Sequence, residues 1–147
     1  REMACAMVNI DFDAVANWAE RRNLAFSGYG DLAAHAAVFD LVRDCVEKVN
    51  ADLAADPQLG GSQIHRFLIL HKELDPDDGE ITRSRKVRRG FIADKYAVLI
   101  DALYGGKKEC YVETQVRFED GRVGRIAANL TLADAKTFPV AAAKPAA

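Results

Sequence analysis

Ile64-His-Arg-Phe-Leu-Ile-Leu-His-Lys-Glu-Leu-Asp-Pro-Asp-Asp-Gly-Glu-Ile-Thr-Arg-Ser-Arg-Lys-Val-Arg-Arg-Gly-Phe91 contains, in one run, a strand, a turn and the entrance to a helix. Phe67, Leu68, Ile69 and Leu70 are apolar at successive positions, so a strand over residues 64–72 buries both faces and belongs at the centre of a sheet. Asp75-Pro-Asp-Asp-Gly79 has the composition of a turn. Arg83, Arg85, Lys86, Arg88 and Arg89 then gather around the expected start of a helix. Unpaired N–H groups make a helix start partly positive, so each cation there costs about 0.3–1 kcal/mol unless an anion lies close. A phosphate, a carboxylate, an acidic protein face or a nucleic-acid backbone would each meet that need. So would a solvated surface on which these cations pair with Asp75, Asp77, Asp78 and Glu80.

Upstream, residues 3–10 read as a buried strand. Asp11 or Asp13 caps a short helix in which Val15, Trp18, Ala19 and Arg22 share a face. Ser27-Gly-Tyr-Gly30 breaks it. From Asp31 a longer helix is expected, with Leu32, Ala36, Phe39, Val42, Val46, Val49 and Leu53 at steps of three and four; Pro57 and Gly60-Gly61 end it. Downstream, Phe91, Ile92, Tyr96, Leu99, Ile100 and Leu103 define a third helix that stops at Gly105-Gly106. Cys110, Val112, Thr114, Val116 and Phe118 alternate with polar residues, Glu119-Asp-Gly-Arg122 turns, and Ile126, Ala128, Leu130 and Leu132 alternate again, predicting an antiparallel hairpin with one wet face. The fold expected is therefore α+β, a small mixed or antiparallel sheet packed with about three helices, over residues 1–136. The Ala/Pro/Lys-rich residues 137–147 lack periodicity and are expected to form a disordered tail or linker.

At 147 residues the chain is long enough for one domain with a real core, and 50% hydrophobic with 29% charged residues argues against general disorder. A net charge of -2 excludes a protein that coats nucleic acid with its whole surface; such a role would fall to residues 83–89. Cys5, Cys45 and Cys110 form no CxxC pair, and Cys45 and Cys110 lie on apolar faces as core residues. With no bilayer-length apolar run and no signal peptide, a reducing cytoplasm is the expected location. His35, His65 and His71 lack metal-ligand spacing, so ordinary surface or core histidines and no metal site are expected; the alternative for His71, a strand-end histidine just before the acidic turn, is an approach to the basic motif. The acidic residues at 75–80 do not match a calcium loop, so pairing with the arginines is the expected use of them.

Read as Thr82-x-Ser84-x-Lys86-x-x-Arg89 before an amphipathic helix, the basic segment resembles the C-terminal lysine motif of the adenylate-forming (AMP-binding) enzymes. The strand and acidic turn at 67–82, the opening Ala6-Met-Val-Asn-Ile-Asp-Phe-Asp-Ala-Val-Ala-Asn-Trp-Ala19 and the hairpin around Asp120-Gly121 resemble the long-chain fatty-acid–CoA ligase branch of that superfamily. Arg85 stands where most of the superfamily has glycine. The resemblance implies a C-terminal lid domain in which Lys86 is the catalytic residue of adenylation. Arg83, Arg85, Arg88 and Arg89 are then candidates for CoA phosphates or for contact with a large N-terminal AMP-binding domain. It also implies ATP, Mg2+ and CoA as cofactors and substrates of a full-length enzyme, fatty acid as the second substrate, no nucleic acid, and peripheral membrane association of the whole protein. No ATP-binding motif occurs here and Arg1 is not an initiator Met, so an excised domain, inactive alone and binding no cofactor, is expected. Two alternatives stay open: an independent anion- or nucleic-acid-binding module, and the lid of an adenylate-former for another carboxylic acid.

Overall fold

The computed structural model describes residues 3–84, 86–117 and 120–141. Four strands, β1 (Ala4–Val8), β2 (Ile64–Ile69), β3 (Glu109–Arg117) and β4 (Val123–Asp134), form a mixed sheet in the order β1-β2-β4-β3. β1 and β2 are parallel, joined by a crossover that carries α1 (Phe12–Arg21), α2 (Tyr29–Ala34) and α3 (Ala36–Ala54). The second connection, from β2 to β3, carries α4 (Arg89–Lys95) and α5 (Ala97–Tyr104). The fold is α+β, as the sequence patterns predict, and β2 is central.

Alternation along β2 divides the core in two. Leu68 and Leu70 face a cluster with Ile92, Tyr96, Leu99, Leu103, Val112, Leu130 and Leu132, which joins α4 and α5 to one side of the sheet. Phe67 and Ile69 face the other side, against Ala19, Leu32, Ala33 and Val38 from α1–α3. Each fully buried side chain of this size contributes about 1.5–3 kcal/mol, so an uninterrupted apolar run is what a strand covered on both faces requires. β1, expected to be buried, is an edge strand and only half-buried throughout, because nothing pairs with its outer side among the described residues.

Two of the three predicted helices are each broken once. His35 ends α2 and starts α3 with ψ at 131°, and its Nδ1 accepts from the Ala37 amide at 3.1 Å. The break shifts the buried face: Val38 is buried where Ala36 was expected, Val49 is 47% exposed, and Asn50 takes a fully buried place. Asn50 holds it by bonding both Ile64 main-chain groups and accepting no penalty for its second amide hydrogen, which it donates to the Lys136 carbonyl at 2.9 Å. Tyr96 similarly divides α4 from α5, with φ −108° and ψ 24°. Asp11 caps α1, accepting from the Ala14 amide at 3.2 Å. The hairpin pairs Cys110 with Leu130, Val112 with Ala128 and Thr114 with Ile126, as the alternation requires; Phe118 and Glu119 lie outside the described residues.

Arg66, buried on β2, ties the layers together. Its guanidinium donates to the Ala102, Leu103 and Lys107 carbonyls at the end of α5 and to Asp134 Oδ1 on β4. A cation at a helix C-terminus is favourable, and here it bonds the Leu103 carbonyl in the last turn and the Lys107 carbonyl just past it, and joins the Lys107 amide on the Ala102 carbonyl. Part of the expected tail is also tied down: Phe138 exchanges two hydrogen bonds with the side chain of Gln63, and the Ala141 amide donates to the Ala54 carbonyl at 2.7 Å. Residues 142–147 lie outside the described part. Cys110 is buried, but Cys45, expected in the core, is exposed on the outer face of α3. No described helix is long and apolar enough to cross a membrane.

Candidate functional site

The basic motif is a small hairpin, not the first turn of a helix. The Arg88 amide donates to the Glu80 carbonyl at 3.0 Å, Ile81 and Val87 form an antiparallel bridge, and the Thr82 amide donates to the Lys86 carbonyl at 2.8 Å. The Lys86 amide donates to Thr82 Oγ1 at 3.1 Å, and the Thr82 and Ser84 hydroxyls lie 3.0 Å apart. The Thr/Ser pair of the motif thus closes the loop on itself, as short polar side chains do when they bond to nearby backbone. Lys86, Arg83, Arg88 and Arg89 are all exposed. Arg85 lies outside the described residues.

Only Arg88 and Arg89 stand at a helix start, at the N-cap and first positions of α4, with no side-chain cap bond. Arg88 meets the positive end by turning back: its Nη1 donates to the Gly79 carbonyl at 3.0 Å and its guanidinium lies 5.1 Å from the Phe91 ring centre. Gly79, at φ +75°, is the turn position that needs glycine; a Cβ there would also come within 3.2 Å of Phe91.

Beneath the hairpin lies a buried charge cluster that the sequence reading did not find. Glu80 is fully buried, and its Oε1 accepts from Lys72 Nζ and from the Asp75 amide at 3.2 Å. Its Oε2 accepts from the Tyr96 hydroxyl and pairs with Lys95 Nζ at 3.1 Å. Lys72 also pairs with Asp78 at 3.1 Å and donates to the Glu73 carbonyl. Glu80, expected to pair with arginines, therefore pairs with lysines inside the domain. Burial alone would raise its pKa, but the bonds from Lys72 and Tyr96, with Lys95 behind them, outweigh it and hold the carboxyl below the usual range. Burial, then the bond to Glu80, pushes the Tyr96 phenol far above its ordinary value. Lys72 lies three residues past the end of β2 and Lys95 precedes a core tyrosine; a charge placed beside an apolar pattern is the one signal that marked them.

His71 does not join the motif. Its Nε2 lies 2.9 Å from Thr114 Oγ1 on β3, its Nδ1 is buried without a partner among the described atoms, and it borders a cavity of about 60 Å³ between β4 and α2. An open cleft of about 460 Å³ runs beside the cluster, bordered by Asp78, Gly79, Phe91, Lys95, Thr114 and Val116. Among the described residues no three His, Cys, Asp or Glu side chains form a group fit to hold a metal ion.

No family model matches the chain, and no solved structure matches it. Among curated proteins, the long-chain-fatty-acid–CoA ligase FadD15 of Mycobacterium tuberculosis is 30% identical over 100 residues, which is 67% of this chain and 16% of that protein. FadD15 of Mycobacterium bovis gives the same figures. The long-chain-fatty-acid–CoA ligase ACSBG1 of Rattus norvegicus is 29% identical over 73 residues, 50% of this chain and 10% of that protein. The chain thus spans a minor part of the ligases it matches, and over that part it is a distant relative of the long-chain fatty-acid–CoA ligases.

Proposed function

We propose that this chain is the C-terminal lid domain of an ATP-dependent long-chain fatty-acid–CoA ligase and that Lys86 serves the first half of the reaction. One arrangement supports the reading most: an exposed lysine stands on a hairpin whose base is locked to the core through a fully paired, buried carboxylate. Such a mount restricts where the ammonium group can go, which a positioned charge requires. The partial relationship to ligases supplies the reaction class.

In the first half-reaction a fatty-acid carboxylate oxygen attacks the α-phosphorus of ATP and pyrophosphate leaves. In the second, the CoA thiol loses its proton, its sulfur attacks the acyl carbonyl, and AMP leaves. The Lys86 ammonium offsets charge on the transferring phosphoryl group and holds the carboxylate oxygen in line. Its compact charge on a flexible stem suits a group that enters another domain's site. Arg83, Arg88 and Arg89 are exposed and offer charge to CoA phosphates or to an acidic face of the large AMP-binding domain. The nearby carboxylates do not suit Mg2+, since Glu80 is saturated by its partners and Asp78 shares Lys72. The metal that accompanies ATP, the nucleotide site and the acyl site then belong to the large domain, so the segment alone is inactive.

The test is Lys86→Ala in the full-length protein. Acyl-AMP formation is expected to slow about 100- to 1000-fold, while supplied acyl-AMP is converted to acyl-CoA within about threefold of the normal rate. Equal loss of both half-reactions, or a sharp fall in thermal midpoint, would make Lys86 a structural residue. Polyanion binding that falls steeply with salt, survives Lys86→Ala and is lost with the arginines would favour a nucleic-acid or anion-binding module instead.

A further inference from the structure

We infer that Glu80 is a positioning residue for Lys86: its carboxylate, gripped by Lys72, Lys95 and Tyr96, fixes the base of the hairpin that presents the lysine. The inference rests on the reading of Lys86 given above. Glu80 and Lys86 are linked through three successive rungs of backbone. The Glu80 carbonyl takes the Arg88 amide, Ile81 bridges Val87, and Thr82 takes and gives bonds at Lys86. Any tilt of the first rung is carried to the third. The grip comes from two directions, Lys72 just beyond β2 and Lys95 with Tyr96 at the α4–α5 junction, so the hairpin is referenced to the sheet and to a helix at once.

Burying one carboxylate against two ammonium groups is no better for stability than a well-packed apolar contact, but it has direction that an apolar contact lacks. The same carboxylate also accepts the Asp75 amide, and Asp78 shares Lys72, so the acidic turn before the hairpin is fastened by the same charges. Phe91 and Lys95 close the outer side of this assembly, where the 460 Å³ cleft opens.

The experiment is a double-mutant cycle in the full-length protein, assayed at a temperature where circular dichroism shows every variant folded. Glu80→Gln is expected to lower the adenylation kcat at least about tenfold, with KM for ATP and fatty acid and the acyl-AMP to acyl-CoA step all within about threefold. Added to Lys86→Ala, it is expected to cause no further loss beyond about twofold, because a residue that acts through the lysine has nothing left to position. Tyr96→Phe, which removes only a hydroxyl from Glu80, is the milder variant. It is expected to show a smaller loss of the same non-additive kind, with faster hydrogen exchange over residues 80–88 and unchanged exchange in α5. Multiplying losses in the double variant, equal loss of both half-reactions, or unchanged adenylation in Glu80→Gln would overturn the inference. If Lys86→Ala alone spares adenylation, the functional reading falls and the inference with it; if Lys86→Ala slows adenylation selectively but the Glu80 variants multiply with it, only the inference falls.

Discussion

His71 and Glu80 both tie stability to pH, in windows that open at different ordinary pKa values. Burial, then the charge of Lys72, holds the His71 imidazole below its ordinary pKa, so the unfolded chain takes up a proton that the folded one refuses. The sign follows: this contribution is complete above about pH 6.5 and drains away as pH falls toward the folded value. Glu80 is depressed as well, so its contribution is complete above the ordinary carboxylate range and is lost as pH falls through its folded value. Urea unfolding from pH 7 downward is expected to show two successive losses. His71→Gln, which cannot titrate, is expected to remove the first and leave the second; a first slope unchanged in that variant would exonerate His71. The basic run around Lys86 was visible in the sequence because its residues are neighbours in an ordered motif. The partners of Glu80 were not, since Lys72 and Tyr96 lie eight and sixteen residues away and only the tertiary fold brings them together.

Strand and helix positions were readable from periodicity, but the joints were not. The His35 break falls in an alanine-rich stretch with no proline or glycine to mark it, and its cap is a ring nitrogen instead of a common capping oxygen. Asn50 carried a fainter signal, a polar residue four positions after Val46 and four before Ala54 on the buried stripe. At the joint between β2 and α5, Arg66→Met keeps an apolar stem but removes the donor that the Leu103 and Lys107 carbonyls take from Arg66, while the Ala102 carbonyl keeps the Lys107 amide. A loss of about 3 kcal/mol is expected in denaturant unfolding, since stranded buried acceptors cost about 1–3 kcal/mol each and some regain water. Arg66→Lys is expected to recover less than half, because one ammonium cannot span those acceptors and Asp134 together. Full recovery by lysine would show that charge, not the guanidinium fork, holds the helix end.

The two clusters share one sheet, so the 147-residue chain is expected to unfold in a single cooperative transition and to release no pyrophosphate with fatty acid and ATP. Release above background would put a nucleotide site inside this segment and overturn the proposed division of labour. The strand order was hidden from sequence because β4 meets β2 over only three residue pairs, Arg66 with Asp134, Phe67 with Ala133 and Leu68 with Leu132, and no local pattern announces so distant a register. That topology also sets a timetable. Among the described strands the last one made is an inner one, so during synthesis α4 and α5 have only an unfinished sheet beside them until residue 134 has left the ribosome. β1, β2 and α1–α3 are complete long before, and they must wait with the free side of β2 open to any other extended chain. A stalled or prematurely ended translation product of this segment is therefore the species most in need of a chaperone, and one that stops before β4 is expected to be degraded or to aggregate where the finished chain does not.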